Sequence, residues 1–157
     1  HDENAENSVV SDRSDPQSSA APRIGPSFFS RRQKPLAIAA ATWTVLLILL
    51  HWQVPAAFVW WVAALFSVTM NATYLIEARS RRASAGVELA VAALLVCLSL
   101  LGLLLWPPFV IAAVAGHGAW DVAKHYGAGV PFLSWYTWSC AGVDLVYAAA
   151  LLAYWIG

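Results

Sequence analysis

Hydrophobic and polar positions divide this chain at residue 34. From Pro35 onward five mostly apolar runs recur, at about 35–53, 56–77, 86–106, 108–125 and 138–156. Each is close to the roughly 20 residues that a helix needs to cross the hydrocarbon core of a bilayer. None shows the sustained period-two alternation of a half-buried strand. Pro55, Pro107 and Pro108 mark short turns after the first and third runs, because proline suits the first turn of a helix and not its interior. The stretches "EARSRRASAG" after the second run and "YGAGVPFLSWY" after the fourth are longer connections. The pattern predicts an all-α, polytopic transmembrane helix bundle over 35–157, with five spans. The fourth run is barely long enough and holds ionisable groups, so a re-entrant segment, leaving four spans, is the alternative.

Residues 1–34 have no hydrophobic period and are rich in Ser, Pro, Asn and Asp. Such a segment buries too little apolar surface to offset chain entropy, which predicts a disordered N-terminal tail. Its first half is acidic (Asp2, Glu3, Glu6, Asp12, Asp15) and its end basic (Arg23, Arg31, Arg32, Lys34). The chain opens on His1 with no signal-peptide pattern, so a processed or trimmed start is expected.

Composition agrees with the pattern: 60% of residues are hydrophobic and 11% charged, against about 25% charged in soluble domains. The formal net charge is zero, so nucleic acid is not an expected partner, and the few charges are read by position. Arg31, Arg32 and Lys34 precede the first span, Arg79, Arg81 and Arg82 follow the second, and Lys124 ends the fourth; the opposite ends carry no Lys or Arg. Positive residues flanking spans stay in the cytoplasm. The N-terminus is therefore expected inside, the C-terminus outside, and the chain in the inner (cell) membrane as a multi-pass protein. Most of its nine tryptophans fall near predicted span ends, as interfacial belts require, and Trp120 lies inside the fourth span. Cys97 and Cys140 lack C-x-x-C spacing and read as small buried hydrophobes.

The fourth run departs from its surroundings. "AVAGHGAWDVAKHYG" (113–127) places His117, Asp121, Lys124 and His125 within nine residues, and ionisable groups at membrane depth are costly enough to mark function by default. His117, Asp121 and His125 are spaced i, i+4, i+8, as are Tyr136, Cys140 and Asp144 on the fifth run. A hairpin of these two spans sets 117 beside 144, 121 beside 140 and 125 beside 136. A His117–Asp144 pair is chemically sensible, since the carboxylate would hold the imidazole in one tautomer. Asn71, Tyr74, Glu77 and Glu88 lie at comparable depth, which makes a cytoplasm-facing cavity an expectation.

His117, Asp121 and Asp144 are accordingly the candidate catalytic residues. Trp120, Lys124, His125, Tyr136, Cys140, Glu88 and Asn71 are candidate ligand contacts, Lys124 being expected to snorkel at the inner boundary. Three readings stay open. His117, Asp121 and Asp144 form an N/O ligand set compatible with zinc or iron; a His–Asp pair in low dielectric serves acid–base chemistry; and the groups can satisfy one another to fix the packing of the hairpin. No Gly-rich phosphate loop, H-E-x-x-H or haem-attachment motif is present, so no cofactor is named. The combination "HGAWDVAKH" (117–125), "GVPFLSWY" (129–136) and "CAGVD" (140–144) resembles a pattern of small bacterial integral membrane proteins of unknown function, H-x-x-W-D-x-x-x-H followed by C-x-x-x-D. The resemblance covers about the last 45 residues and implies that these positions act as a unit, with no activity attached.

The leading expectation is a membrane protein with a His/Asp site in its last two spans, open to the cytoplasmic half, binding a small or lipid-like ligand with acid–base catalysis as a capability. The alternative is a non-catalytic accessory subunit that contacts another membrane protein through its tail or Trp-rich surface. A proton-coupled carrier would need polar residues in the outer halves of the spans, which are almost bare of them.

Overall fold

The computed structural model describes residues 28–81 and 85–157. The first 27 residues of the expected tail, including its acidic half and Arg23, lie outside the described residues, as does Arg82. Five helices follow in order: α1 (Gln33–Gln53), α2 (Val59–Arg81, entered through a 3-10 turn at Ala56–Phe58), α3 (Ala85–Leu104), α4 (Pro108–His125) and α5 (Ser134–Ile156). No strand occurs among the described residues. The helices α1, α2, α3 and α5 are long and apolar enough to cross a membrane, with mean hydropathies of 1.7, 1.4, 2.6 and 1.5. The chain is a multi-pass membrane protein.

Its core is built around α4, the helix that is not among those four. The buried residues of α4 are Val110, Ala113, Val114, His117, Gly118, Asp121 and Lys124, a stripe at helical spacing with its apolar half near Pro108 and its polar half near His125. A helix surrounded by protein can carry polar residues that a lipid-facing helix cannot, provided that its neighbours satisfy them. The neighbours fix its direction. A Cβ at Gly102 would collide with Val110, one at Gly116 would meet Leu95 at 2.7 Å, and Lys124 reaches Glu88, so α3 and α4 are antiparallel. On the other side Gly118 faces Leu145, and His125 faces Ser134 and Trp138, which makes α5 antiparallel to α4 as well. At about 1.5 Å per residue, the 18 residues of α4 extend roughly 27 Å. It runs alongside α3 and α5 as one continuous helix, and it is the one of these five helices not among the four apolar enough by length and composition to cross a membrane.

Packing is divided by depth. Near the uncharged end Ala63 and Ala64 of α2, Val110 and Val114 of α4, and Ala148 and Leu151 of α5 form a compact cluster, where small residues let backbones approach closely. Near the charged end Leu36, Tyr74 and Tyr136 form an aromatic cluster that includes Phe132 and Phe29. Here the structure extends the bundle into the expected tail: residues 28–31 form a turn, the Phe29 ring meets Phe132 edge-on at 5.6 Å, and the Phe29 amide donates to Glu77 Oε2 at 3.3 Å.

Helix α1 sits at the periphery. Only Leu36 and Leu47 are buried on it. Polar contacts tie both its ends to α5, Trp135 Nε1 donating to Gln33 Oε1 at 3.3 Å and His51 Nε2 lying 2.5 Å from the Tyr147 hydroxyl. Between those ties Leu47 and Trp43 pack against Val62, Phe66 and Val143, and gaps remain beside them. Three voids of about 280, 180 and 290 Å³ flank α1, and Trp43 borders all three.

Candidate functional site

The polar residues of α4 do come together with partners, but their partners are on α2 and α3. His117 is 3% exposed. Its Nε2 lies 2.7 Å from the Ser67 carbonyl oxygen, so this nitrogen carries the proton and donates it. Asn71 Nδ2 is 3.4 Å from the same ring and itself donates to the Ser67 carbonyl at 3.1 Å. Ser99 of α3 completes the group, its hydroxyl donating to Leu95 O and lying 2.8 Å from Ser67 Oγ. One turn on, the Tyr74 hydroxyl donates to Asp121 Oδ1.

The expected His117–Asp144 pair does not form: His117 turns to α2, and neither carboxylate oxygen of Asp144 has a hydrogen-bond partner among the described residues. The reason is rotation about the helix axis. At about 100° per residue, steps of four drift by roughly 40° each, so i+8 stands about 80° from i, whereas i+7 returns to within about 20°. The buried polar stripe is therefore His117, Asp121 and Lys124, and His125 swings off it. Gly118, not His117, presents α4 to α5, where an added Cβ would lie 3.3 Å from the Asp144 Cβ. The depth pairing expected from sequence is right to within a residue; the facing is not.

Lys124 does not snorkel. It is 4% exposed and forms an ion pair with Glu88, which is 2% exposed. Its ammonium also donates to the Val130 carbonyl at 2.9 Å and lies 4.4 Å from the centre of the Tyr74 ring. Glu88 in turn accepts from the Val130 amide at 2.8 Å and from Trp120 Nε1 at 3.2 Å. Every polar atom of the pair thus has a near neighbour, the condition under which a buried ion pair is tolerated. The 126–133 connection folds over the pair through Gly129, whose φ of +61° is left-handed and whose Cβ, if present, would lie 2.5 Å from Glu88 Oε1. Lys124, Trp120 and Glu88, expected as ligand contacts, are engaged with one another.

His125 is held at the turn between α4 and α5. Trp138 Nε1 donates to its Nε2 at 3.1 Å, which leaves Nδ1 to donate to Ser134 Oγ at 2.9 Å. Tyr136 donates to Thr73 Oγ1 at 3.3 Å. Among the described residues no three His, Cys, Asp or Glu side chains are gathered so as to hold a metal ion. The expected zinc or iron set divides accordingly: His117 goes to Ser67, Asp121 to Tyr74, and Asp144 stands apart from both bonds.

Asp144 is the exception to this completeness. It is 1% exposed, halfway along α5, and is one of the residues bordering the 280 Å³ cleft between α1, α2 and α5. Ala37, Ala40, Ala41 and Thr44 supply the α1 wall, Phe66 and Met70 the α2 wall, and Tyr136, Ser139, Cys140 and Val143 stand beside Asp144 on α5. Sequence reasoning missed α1 entirely as a site element. The signal was present as "LAIAAAT", three alanines at 37, 40 and 41 on one side of a helix otherwise rich in large apolar residues.

The chain matches no family model, no curated protein and no solved structure, so the site is read from its own geometry.

Proposed function

We propose that this chain is a five-span protein of the inner (cell) membrane, with its N-terminus in the cytoplasm, that binds a small lipid-like ligand in the cleft between α1, α2 and α5. Asp144 carries this reading. A buried polar group without a hydrogen-bond partner costs about 1–3 kcal/mol and a charged one more, and buried polar groups in native proteins are nearly always satisfied. Every other buried ionisable side chain of α4 and α5 has a neighbouring protein group, so an unpaired Asp144 at the edge of a cleft fits a group kept for a molecule from outside the chain.

Two further observations support the reading. The cleft occupies the half of the bundle that bears Arg31, Arg32, Lys34 and Arg79, which the positive-inside rule assigns to the cytoplasm. Its α1 wall lies at the rim of the bundle with only Leu36 and Leu47 buried, so the bilayer borders the cleft and offers a route of entry. With His117 and Asp144 apart, no general acid–base pair faces the cleft, and binding rather than turnover is the function the geometry favours. Native mass spectrometry of gently extracted protein tests this: the intact chain should retain a small apolar molecule, and Ala40→Phe, which fills the cleft from α1, should lose it with helix content unchanged. An empty wild-type chain, or a variant as loaded as the wild type, would refute it.

A further inference from the structure

The polar groups that line the cleft define the complement of the ligand. Thr44 and Ser139 each have a single hydroxyl proton, and both are committed to the backbone, Thr44 Oγ1 to Ala40 O at 3.0 Å and Ser139 Oγ to Trp135 O at 2.8 Å. The Tyr136 proton is committed to Thr73 Oγ1. A hydroxyl that has donated retains only lone pairs. No Lys, Arg or His borders the cleft. Apart from the Trp43 indole N–H and the weak Cys140 thiol, the lining therefore offers three hydroxyl oxygens and the unpartnered carboxyl group of Asp144, with no cation among them.

A lining that holds a carboxyl group and no cation disfavours anionic ligands. Phosphate, sulfate and carboxylate head groups bring negative charge, and would find no cation to offset it beside Asp144. A neutral alcohol brings one proton. A protonated amine brings up to three, with the charge that a buried carboxylate lacks. The aromatic environment agrees, since Trp43, Phe66, Trp135 and Tyr136 all border the cleft, and aromatic faces attract cations. The remainder of the wall, Ala37, Ala40, Ala41, Met70 and Val143, suits an apolar chain.

We infer that the ligand of this cleft is an apolar molecule bearing a primary amine, its ammonium group seated on Asp144 with Thr44 and Ser139 as further acceptors, and its apolar part lying along the alanine face of α1. The inference rests on the proposed ligand-binding role and deepens it by naming the head group.

The test uses the full chain in phosphatidylcholine nanodiscs, with dodecylamine, dodecanol and dodecanoate as probes of equal tail length. Bound probe is quantified relative to protein-free nanodiscs, which removes simple partition into lipid. Dodecylamine should bind more tightly than dodecanol or dodecanoate by about tenfold or more, the factor expected for one charge-assisted hydrogen bond. Asp144→Asn should abolish that preference. If this variant does not accumulate, the ranking of the three probes on the wild-type chain decides alone. Equal binding of amine and alcohol, both lost in Ala40→Phe, would overturn the amine inference and leave the ligand-binding reading standing. Binding of none of the probes above protein-free nanodiscs would overturn both, and displacement of dodecylamine by equimolar sodium chloride would mark the site as one for a simple cation and overturn the inference.

Discussion

Removing either half of the Glu88–Lys124 pair should be among the most damaging single changes in this bundle. Both side chains are essentially unexposed, at 1% and 0%, so the interaction needs no discount for solvent screening. Breaking a buried pair by deleting one partner typically costs about 3–5 kcal/mol, because the other charge is left uncompensated. The surroundings predict an order. In Lys124→Met the Glu88 carboxylate keeps the Val130 amide and the Trp120 indole as donors. In Glu88→Leu the ammonium keeps the Val130 carbonyl, the faces of Tyr74 and Trp120, and the nearby Asp121 and Glu77 carboxylates, whereas Glu88 without Lys124 faces the Asp121 carboxylate. Lys124→Met is therefore the costlier change. The double variant leaves neither charge of the pair but strands three neutral groups, the Val130 amide and carbonyl and the Trp120 N–H, at about 1–2 kcal/mol each, or roughly 3–6 kcal/mol in all. That is well short of the sum of the singles, so a double-mutant cycle should return a coupling of about 2–4 kcal/mol. Reversible unfolding in mixed detergent micelles, followed by far-UV circular dichroism, measures all four proteins. Additivity within about 0.5 kcal/mol would show that the two charges are not partners.

Two further outcomes follow from the same architecture. Gly129→Ala should destabilise the bundle by about 1–3 kcal/mol in the same unfolding assay, because the residue combines left-handed φ with a Cβ position already at Glu88; a neutral substitution would mean that the 126–133 connection does not clasp the ion pair. Tags at the two termini should be reached from opposite sides of the membrane, the N-terminal tag from the cytoplasm, as five spans and the Lys/Arg distribution require; labelling of both from one side would remove a span.

What the sequence disclosed and what it withheld separate along the helix axis and around it. Distance along a helix is linear in residue number, so span limits, the charged end of the bundle and the depth of each polar residue could be counted. The expected runs agree with α1 to α5 to within about four residues at each end, and the matching of 117 with 144 reappears as Gly118 against Asp144. Azimuth is harder, since each step of four adds an error of about 40°, enough over two turns to move His125 off the buried face and Lys124 onto it. The partners were harder still. Ser67 serves His117 through a backbone carbonyl, and Val130 serves Glu88 and Lys124 through its peptide groups; any residue type provides those atoms, so composition cannot announce them.

The same logic explains why Asp144 was visible as a residue but not as an unpaired one. Its type and depth can be read from "CAGVD", whereas its isolation depends on where His117 does not point and on how α1 packs about a hundred residues earlier in the chain. Isolation is a property of the whole arrangement. It arises because the polar residues of α4 are satisfied on the α2 and α3 side, leaving the α5 face to Gly118, and because α1 meets the seam with alanines, which neither fill the cleft nor offer Asp144 a hydrogen bond. A bundle selected only for stability could close that gap with larger side chains on α1 or a donor opposite Asp144, since filling cavities and pairing buried polar groups both stabilise. That neither is present, in a chain that satisfies Glu88, His117, Asp121 and Lys124 so fully, is the physical argument that the gap serves a ligand.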